Sequence, residues 1–334
     1  MGIFRINLET NEDTIILNGE VDKPEAKSAA IETIQRVGAK TIDRVTVLPE
    51  QRFGEKTWGI ATLSVASGRE EPDHKAELGT QILMGRVVRV WKGTRHWYYV
   101  QSQDGYLSWI ENGSFVPCTR KQADAWTNAP LLIVTTFEER VLEEPRNDSE
   151  SVSDVVMGDL VKRTGERKDW FSVELPDGRG GFLPKKAARD YKTWSQTRRL
   201  TADHIEKTAR LFLGRPYLWG GNSPKGLDCS GLCKLTFLMN GLELNRNASE
   251  QVRQGREVPL DPSFSKLKKG DLLFFGFSPG ADGLEWITHV AIYLGNKSFI
   301  QSAERVKISS LDPAARNYDE HHARHLLYAR RILP

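Results

Sequence analysis

Cys229 stands where a glycine- and proline-rich loop gives way to a predicted helix. The loop covers residues 214–228, and leucine and phenylalanine recur at helical spacing over 229–238. Asp228 is of a residue type that caps helix N-termini, so Cys229 is predicted to lie in the first helical turn. Because the helix dipole places partial positive charge there, it favours the thiolate over the thiol. Cys229 is therefore a candidate nucleophile.

A thiolate nucleophile also needs a group that carries protons, and His289 is the candidate. It begins an apolar, β-rich run that ends at Gly295. Residues 298–303 are predicted to form a second short strand, and alternation along it decides which way Gln301 faces. If Gln301 points inward, its amide oxygen is able to fix the tautomer and direction of the His289 ring, as the third member of a catalytic triad does.

The remaining cysteines and histidines favour no metal site. Three cysteines, Cys118, Cys229 and Cys233, are too few for a disulfide framework or a four-ligand zinc site. Cys233 lies one helical turn after Cys229, so we expect it to pack in the core, and we expect a structural role for Cys118 as well. The histidine-rich segment 321–325 is interpreted as solvated. We expect neither a metal nor an organic cofactor.

Length and composition limit what surrounds these residues. A chain of 334 residues with 39% hydrophobic residues predicts two or three domains. Its 47 basic and 44 acidic residues leave a formal charge of only +3, which argues against nucleic acid as a partner. The longest apolar runs fall far short of the roughly 18 residues of a membrane helix, so no membrane span is expected. The first residues lack a secretion signal, which predicts a cytoplasmic protein, or one of the cell envelope whose signal has been removed.

The central part of the chain contains a repeat with a constant offset of 73 residues. Shared residues in the first copy, Met84-Gly85, Trp97 and Asp104-Gly105, recur in the second copy as Met157-Gly158, Trp170 and Asp177-Gly178. Each copy has alternating strand segments and an Asp-Gly hairpin turn, so each predicts a small β-barrel. We place the two barrels at 59–120 and 130–187.

Flanking segments complete the predicted architecture. Within 1–58, a strand at 14–21, a helix at 26–37 and a strand at 42–48 predict a βαβ extension, which we interpret as structural. The basic stretch 185–195 is predicted to be a linker, followed by a helix at 202–212. The part that carries the chemistry is assigned to 200–334.

Four motifs in this last part resemble the NlpC family of bacterial cysteine peptidases. In order, they are Pro-Tyr-Leu-Trp-Gly-Gly at 216–221, Asp-Cys-Ser-Gly at 228–231, Gly-Asp-Leu-Leu-Phe-Phe at 270–275 and His-Val-Ala-Ile-Tyr-Leu-Gly at 289–295. The repeat is similar to the bacterial SH3-like domains that accompany cell-wall enzymes. The resemblance implies an α+β multidomain fold, with the N-terminal βαβ extension, two SH3-like β-barrels and a papain-like NlpC catalytic domain. It also implies that Cys229 is the nucleophile, His289 the general base and Gln301 the third polar position, where this family often has histidine.

The resemblance further implies which residues contact substrate. Tyr217 matches a tyrosine near the oxyanion site, and Asp228 and Ser230 match residues beside the nucleophile that contact substrate. A buried ammonium group left unpaired is costly, so a free substrate α-amine needs an acidic partner, for which Asp228 is best placed. In similar enzymes the first SH3-like domain closes one end of the cleft with an acid and a tyrosine. Glu77 and Tyr106 are our candidates for these two residues.

This architecture resembles that of γ-D-glutamyl-L-diamino acid endopeptidases, which act on free murein peptides. The expected substrates are therefore murein-derived peptides such as L-Ala-γ-D-Glu-diaminopimelate, cleaved between D-Glu and the diamino acid, with a preference for a free N-terminal L-Ala. Two alternatives stay open. One is a cell-wall-binding protein with an inactive catalytic domain, and the other is a thiol-dependent acyltransferase.

Overall fold

The computed structural model describes residues 2–11, 13–36, 38–278 and 286–333. Its strands form four larger sheets and one short hairpin, and they follow each other along the chain in four groups. Among the described residues, no helix combines the length and the apolar character needed to cross a bilayer.

The N-terminal group is a three-stranded sheet covered by one helix. Its elements are β1 (Phe4–Asn11), β2 (Thr14–Val21), α1 (Pro24–Gln35) and β3 (Lys40–Val47). Strands β2 and β3 are parallel and joined through α1, as the βαβ prediction requires, but β1 adds an antiparallel edge strand. The prediction lacked β1, which is held by pairing with β2 more than by burial, since Phe4 and Leu8 remain exposed.

The central repeat forms two seven-stranded sheets. The first contains β4 (Trp58–Ala61), β5 (Val65–Arg69), β6 (Leu78–Leu83), β7 (Val87–Gly93), β8 (Trp97–Gln101), β9 (Leu107–Glu111) and β10 (Phe115–Cys118). The second contains β11 (Leu131–Val134), β12 (Glu138–Leu142), β13 (Ser151–Val156), β14 (Leu160–Arg167), β15 (Trp170–Glu174), β16 (Gly180–Pro184) and β17 (Ala188–Asp190). The strand order is β10-β4-β7-β8-β9-β5-β6 in the first sheet and β17-β11-β14-β15-β16-β12-β13 in the second. The two orders are equivalent, so the repeated sequence forms a repeated topology.

The second barrel ends later than the sequence suggested. The basic stretch predicted to be a linker contains a 3-10 turn (Lys185–Ala187), strand β17 and helix α3 (Tyr191–Thr197). Strand β17 pairs with β11, and Trp194 is buried against the core. The linker prediction is therefore wrong, because the apolar residues of this segment close the barrel while its basic residues face solvent. Helix α2 (Arg120–Thr127) connects the two barrels, and further 3-10 turns lie at Gln51–Phe53 and Asn112–Ser114.

The C-terminal group combines helices with one antiparallel sheet. Its helices are α4 (Ala202–Arg210), α5 (Cys229–Leu238), α6 (Ala248–Gln251) and α7 (Glu320–Arg324). Strands β18 (Asn222–Ser223) and β19 (Gly226–Leu227) form the hairpin, and the sheet contains β20 (Arg256–Glu257), β21 (Leu272–Phe277), β22 (Trp286–Gly295), β23 (Ser298–Ala303), β24 (Arg305–Ser310) and β25 (Leu326–Arg331). The sheet order is β20-β25-β21-β22-β23-β24. Helix α5 packs on β22 through an apolar core that includes Leu232, Leu235 and Val290.

The first barrel is fixed to this C-terminal group by polar contacts. Gln81 and Asn222 exchange two hydrogen bonds, from Gln81 N to Asn222 Oδ1 (2.8 Å) and from Asn222 N to Gln81 Oε1 (3.0 Å). The Lys234 ammonium on α5 lies 2.9 Å from the Asp104 carboxylate, with side chains only 7% and 4% exposed. Gly220 has φ +75°, and a Cβ there would lie 2.0 Å from the carbonyl oxygen of Leu78. The barrel backbone thus closely approaches the loop that precedes α5.

Candidate active site

Cys229 is the first residue of α5, at the inner end of the loop that touches the first barrel. Asp228 caps the helix, and its carboxylate accepts a hydrogen bond of 2.7 Å from the Gly231 N–H. The backbone N–H groups of Ser230 and Val290 act on the Cys229 thiol and lower its pKa. Cys229 therefore packs against β22 at Val290, the residue that follows His289 in sequence.

Burial controls the protonation state of this thiol. Enclosure, with the nearby Asp228 carboxylate, raises the pKa of Cys229 to about 11, although the Val290 and Ser230 N–H groups and Arg246 act in the opposite direction. The position of Cys229 at a helix N-terminus predicts the opposite, a thiolate. In the folded protein the residue is only 7% exposed, so desolvation outweighs that effect and the resting group is a thiol.

His289 and Gln301 face each other across neighbouring strands β22 and β23. The His289 Nε2 lies 2.7 Å from the Gln301 Oε1, and Gln301 is fully buried. This contact occupies Nε2 and leaves Nδ1 as the ring nitrogen for proton transfer. Burial, followed by the neighbouring His322, lowers the pKa of His289 to about 3, so the ring is neutral around pH 7.

The histidine-rich C-terminal segment reaches this pair, contrary to the prediction that it is solvated. The His322 ring centroid lies 4.5 Å from that of His289, and the His322 side chain is only 15% exposed. The short helix α7 folds back over the sheet, and a sequence pattern of adjacent histidines cannot reveal such a return. Within the described ranges, no group of three or more His, Cys, Asp or Glu side chains is arranged to hold a metal ion.

A buried ion pair lies beside the candidate nucleophile, Cys229. One Arg246 guanidinium nitrogen is 2.5 Å from Asp228 Oδ2, and the side chains are 2% and 9% exposed. The same guanidinium donates to the Ser230 hydroxyl (2.9 Å), and the Gly220 N–H donates to Asp228 (3.0 Å). Arg246 is not predicted from sequence, because it lies in a polar loop without a distinctive motif.

A cleft with a volume of about 460 Å³ opens in front of Cys229. All five residues predicted to contact substrate line it, namely Tyr217, Asp228 and Ser230 from the C-terminal part and Glu77 and Tyr106 from the first barrel. Burial and the charges of Cys229 and Asp228 raise the pKa of Tyr217, which therefore keeps its hydroxyl proton. The fold thus brings together residues more than 100 positions apart in sequence.

Two acidic residues form the barrel side of the cleft. The Tyr106 hydroxyl donates to Glu70 Oε1 at 2.6 Å, and the Trp219 indole N–H donates to Glu77 Oε1 at 2.5 Å. Neither carboxylate pairs with a cation in the part of the chain that the structure describes. Glu70 was missed from sequence because it recurs in the second repeat as Glu143 and therefore resembles a general barrel feature. Trp219 lies in the Pro-Tyr-Leu-Trp-Gly-Gly motif at 216–221, but the sequence predicts no role for it.

Comparison with known proteins agrees with this arrangement. Residues 214–326 match the NlpC/P60 family, and residues 68–115 match the bacterial dipeptidyl-peptidase SH3 domain. Dipeptidyl-peptidase 6 of Lysinibacillus sphaericus is 29% identical over 76% of this chain and 91% of its own length. The gamma-D-glutamyl-L-lysine dipeptidyl-peptidase of Bacillus cereus is 30% identical over 77% of this chain and 76% of its own length.

Structural similarity extends over the same region. A crystal structure of an NlpC/P60 family protein from Bacillus cereus aligns with a TM-score of 0.70 and 26% identity, and covers 83% of this chain and 100% of that chain. The α+β multidomain architecture and the SH3-like and NlpC/P60 domains are therefore established. The chain belongs to the NlpC/P60 family of cysteine peptidases.

Proposed function

We propose that this protein hydrolyses the bond between the γ-carboxyl of D-Glu and the L-diamino acid in free murein peptides, and that it requires an unblocked N-terminal L-Ala. The Bacillus cereus relative, named a gamma-D-glutamyl-L-lysine dipeptidyl-peptidase, and the Lysinibacillus sphaericus relative, named dipeptidyl-peptidase 6, support this reaction class. Cleavage two residues from the amino end leaves a dipeptide, L-Ala-D-Glu.

The observation that carries the amine requirement is the acidic barrel wall of the cleft. Glu70, Glu77 and Tyr106 line the same cleft as Cys229. An ammonium group that leaves water needs a negative partner, and hydrogen bonds to charged groups contribute about 1.5–3 kcal/mol. The Asp228 carboxylate is already engaged by Arg246. We therefore assign most of the ammonium binding to Glu70 and Tyr106, with Asp228 and Glu77 beside them.

This assignment sets the direction of the bound peptide. The L-Ala amine lies toward the first barrel, the D-Glu γ-carbonyl lies at Cys229, and the diamino acid extends toward Ile287 and Thr288 on the opposite side. An acyl group on the amine removes the positive charge and adds volume at the Glu70–Tyr106 wall. Intact murein, whose L-Ala nitrogen is acylated, is excluded for both reasons.

The reaction starts from a neutral thiol and a neutral imidazole. His289 Nδ1 takes the proton from Cys229 as the sulfur attacks the γ-carbonyl carbon. The imidazolium then protonates the departing amine of the diamino acid, which leaves a thioester of the dipeptide on Cys229. His289 next deprotonates a water molecule that attacks the thioester, and the dipeptide and the thiol are released.

The developing oxyanion needs hydrogen-bond donors at the cleft. N–H groups in the first turn of a helix have no intrahelical partner, so the Cys229 N–H at the start of α5 is one proposed donor. The Tyr217 hydroxyl, which lines the cleft and remains protonated, is the second.

Mass spectrometry of reaction products tests the proposal. The purified protein is incubated with L-Ala-γ-D-Glu-meso-diaminopimelate and with its N-acetylated form, and a Cys229→Ala variant serves as control. We expect L-Ala-D-Glu to be released only from the free peptide and only by the wild type. Equal cleavage of both forms would contradict the amine requirement. Cleavage of neither would contradict the peptidase proposal, and dipeptide transferred to an added amine would identify an acyltransferase.

A further inference from the structure

The Gln301 side chain is held at both ends of its amide. Its oxygen faces His289 Nε2, while its nitrogen donates to Ser309 Oγ (2.8 Å) and to Asp319 Oδ2 (2.8 Å). The residue is fully buried, so no water competes for these bonds. Every hydrogen-bonding position on the nitrogen is therefore used by protein groups.

The carboxylate determines which way this amide points. The two ends of a glutamine amide have nearly the same shape, and a serine hydroxyl is able to donate or to accept. An ionised carboxylate only accepts, so it requires the amide nitrogen and turns the oxygen toward His289. Although burial acts to raise it, hydrogen bonds from His322 and Gln301 lower the pKa of Asp319 to about 2, which keeps the carboxylate charged.

Asp319 is itself anchored from two elements. Its backbone N–H donates to the Ser310 carbonyl on β24 (2.9 Å), and its carboxylate caps α7 by accepting from the His322 N–H (3.2 Å). The His322 ring Nδ1 also lies 2.9 Å from Asp319 Oδ2, although the two groups are not aligned as a hydrogen bond. The carboxylate is thus placed independently of Gln301.

We propose that Asp319 is a positioning residue for His289 and acts through the side-chain amide of Gln301. The amide oxygen accepts only from a protonated Nε2, so the neutral ring carries its proton there and presents the Nδ1 lone pair to Cys229. The negative charge of Asp319 also polarises the amide and stabilises the imidazolium that forms during attack. Asp319, which contacts Gln301 and not His289, thus supplies the negative charge that the glutamine amide itself does not carry. The inference rests on the proposed function, in which His289 is the general base.

The test uses Asp319→Asn, which keeps a good helix cap because asparagine caps as well as aspartate. Asparagine offers both a donor and an acceptor, so the Gln301 amide is free to reverse. We expect kcat on the free tripeptide to fall by about 10- to 100-fold with little change in KM, the size of effect seen for outer hydrogen-bond partners of metal-bound histidines. Glu320→Gln is the matched control, because it removes a charge from the adjacent, exposed position, and we expect wild-type kcat.

A double-mutant cycle separates positioning from a structural role. In a Gln301→Ala background, Asp319 has no amide to orient, so adding Asp319→Asn should lower kcat by less than about twofold. A further loss as large as in the wild-type background would overturn the proposal. Asp319→Ser, which also caps α7 without a charge, repeats the comparison if the asparagine variant folds poorly.

One readout does not depend on the identity of the substrate. Nitrogen-15 spectra of labelled histidine side chains report the His289 tautomer, with the signal assigned by a His289→Gln variant. We expect the Nε2–H form in the wild type and a mixture in Asp319→Asn, and an unchanged tautomer would overturn the proposal. If the tripeptide is not cleaved at all, this measurement still decides the role of Asp319 separately from the proposed function.

Discussion

The Arg246 guanidinium and the Asp228 carboxylate form a buried ion pair, 2.5 Å apart, directly beside the candidate nucleophile. Asp228 also caps the helix that begins with Cys229 and accepts from the Gly220 N–H of the cleft loop. Arg246 thus neutralises the Asp228 carboxylate, which is needed both as the cap of α5 and as the acceptor for the Gly220 N–H.

Removal of Arg246 should therefore leave Asp228 charged and unpaired in the interior. We expect Arg246→Met to lower the free energy of unfolding by about 3–5 kcal/mol, measured by urea denaturation. Arg253→Met, at an exposed position on the same segment, should change it by less than about 0.5 kcal/mol. Equal effects of the two substitutions would contradict the importance of the buried pair.

The reactivity of Cys229 toward iodoacetamide should increase with pH well above neutrality. Because burial raises the pKa of Cys229 to about 11, the thiolate fraction grows about tenfold for each pH unit below that value. We expect the alkylation rate of the free protein to rise through pH 9 without a plateau. The His289 pKa of about 3 means that no imidazolium sustains a thiolate at neutral pH. A plateau of the alkylation rate below pH 8 would contradict a neutral Cys229 thiol at neutral pH. The Cys229→Ala variant is the control, because it reports the background reaction of the two other buried cysteines.

Glu70 should contribute more to recognition of the free peptide than its counterpart in the second barrel. Glu70→Gln removes the charge that faces the substrate amine but keeps an acceptor for the Tyr106 hydroxyl. We expect kcat/KM for the free tripeptide to fall by about 10- to 30-fold, which corresponds to about 1.4–2 kcal/mol. Glu143→Gln, at the equivalent repeat position, should leave kcat/KM unchanged. A similar loss in both variants would exclude a specific role for Glu70.

Docking of the first barrel should depend on the Asp104–Lys234 pair. Asp104→Asn leaves the buried Lys234 ammonium with only the Glu243 carboxylate as a charged partner. We expect a loss of about 2–4 kcal/mol in the free energy of unfolding, together with weaker discrimination between free and N-acetylated peptide. Asp177→Asn changes the equivalent turn of the second barrel, where the carboxylate pairs only with the surface Arg179, and it should cost less than about 1 kcal/mol. If Asp104→Asn still discriminates between the free and the N-acetylated peptide as the wild type does, docking of the first barrel does not determine recognition of the amine.

The sequence alone determined the features that depend on local pattern. The strands Thr14–Val21 and Ser298–Ala303 have the predicted bounds, and both contain β-branched residues, which favour strands. The start of a helix at Cys229 follows from a glycine-rich loop and an aspartate cap. The repeat offset of 73 residues likewise anticipated two sheets of the same strand order. These features are readable because neighbouring residues decide them.

Only the tertiary structure decided which charges meet at the cleft. Arg246 reaches Asp228 and Asp319 reaches Gln301 through chain reversals that no sequence periodicity records. The protonation state of Cys229 was misjudged for a related reason, since the helix dipole is a local property, whereas desolvation depends on every segment that packs over the thiol. The burial of a residue and its long-range contacts depend on segments from the whole fold, so only the complete tertiary structure shows them.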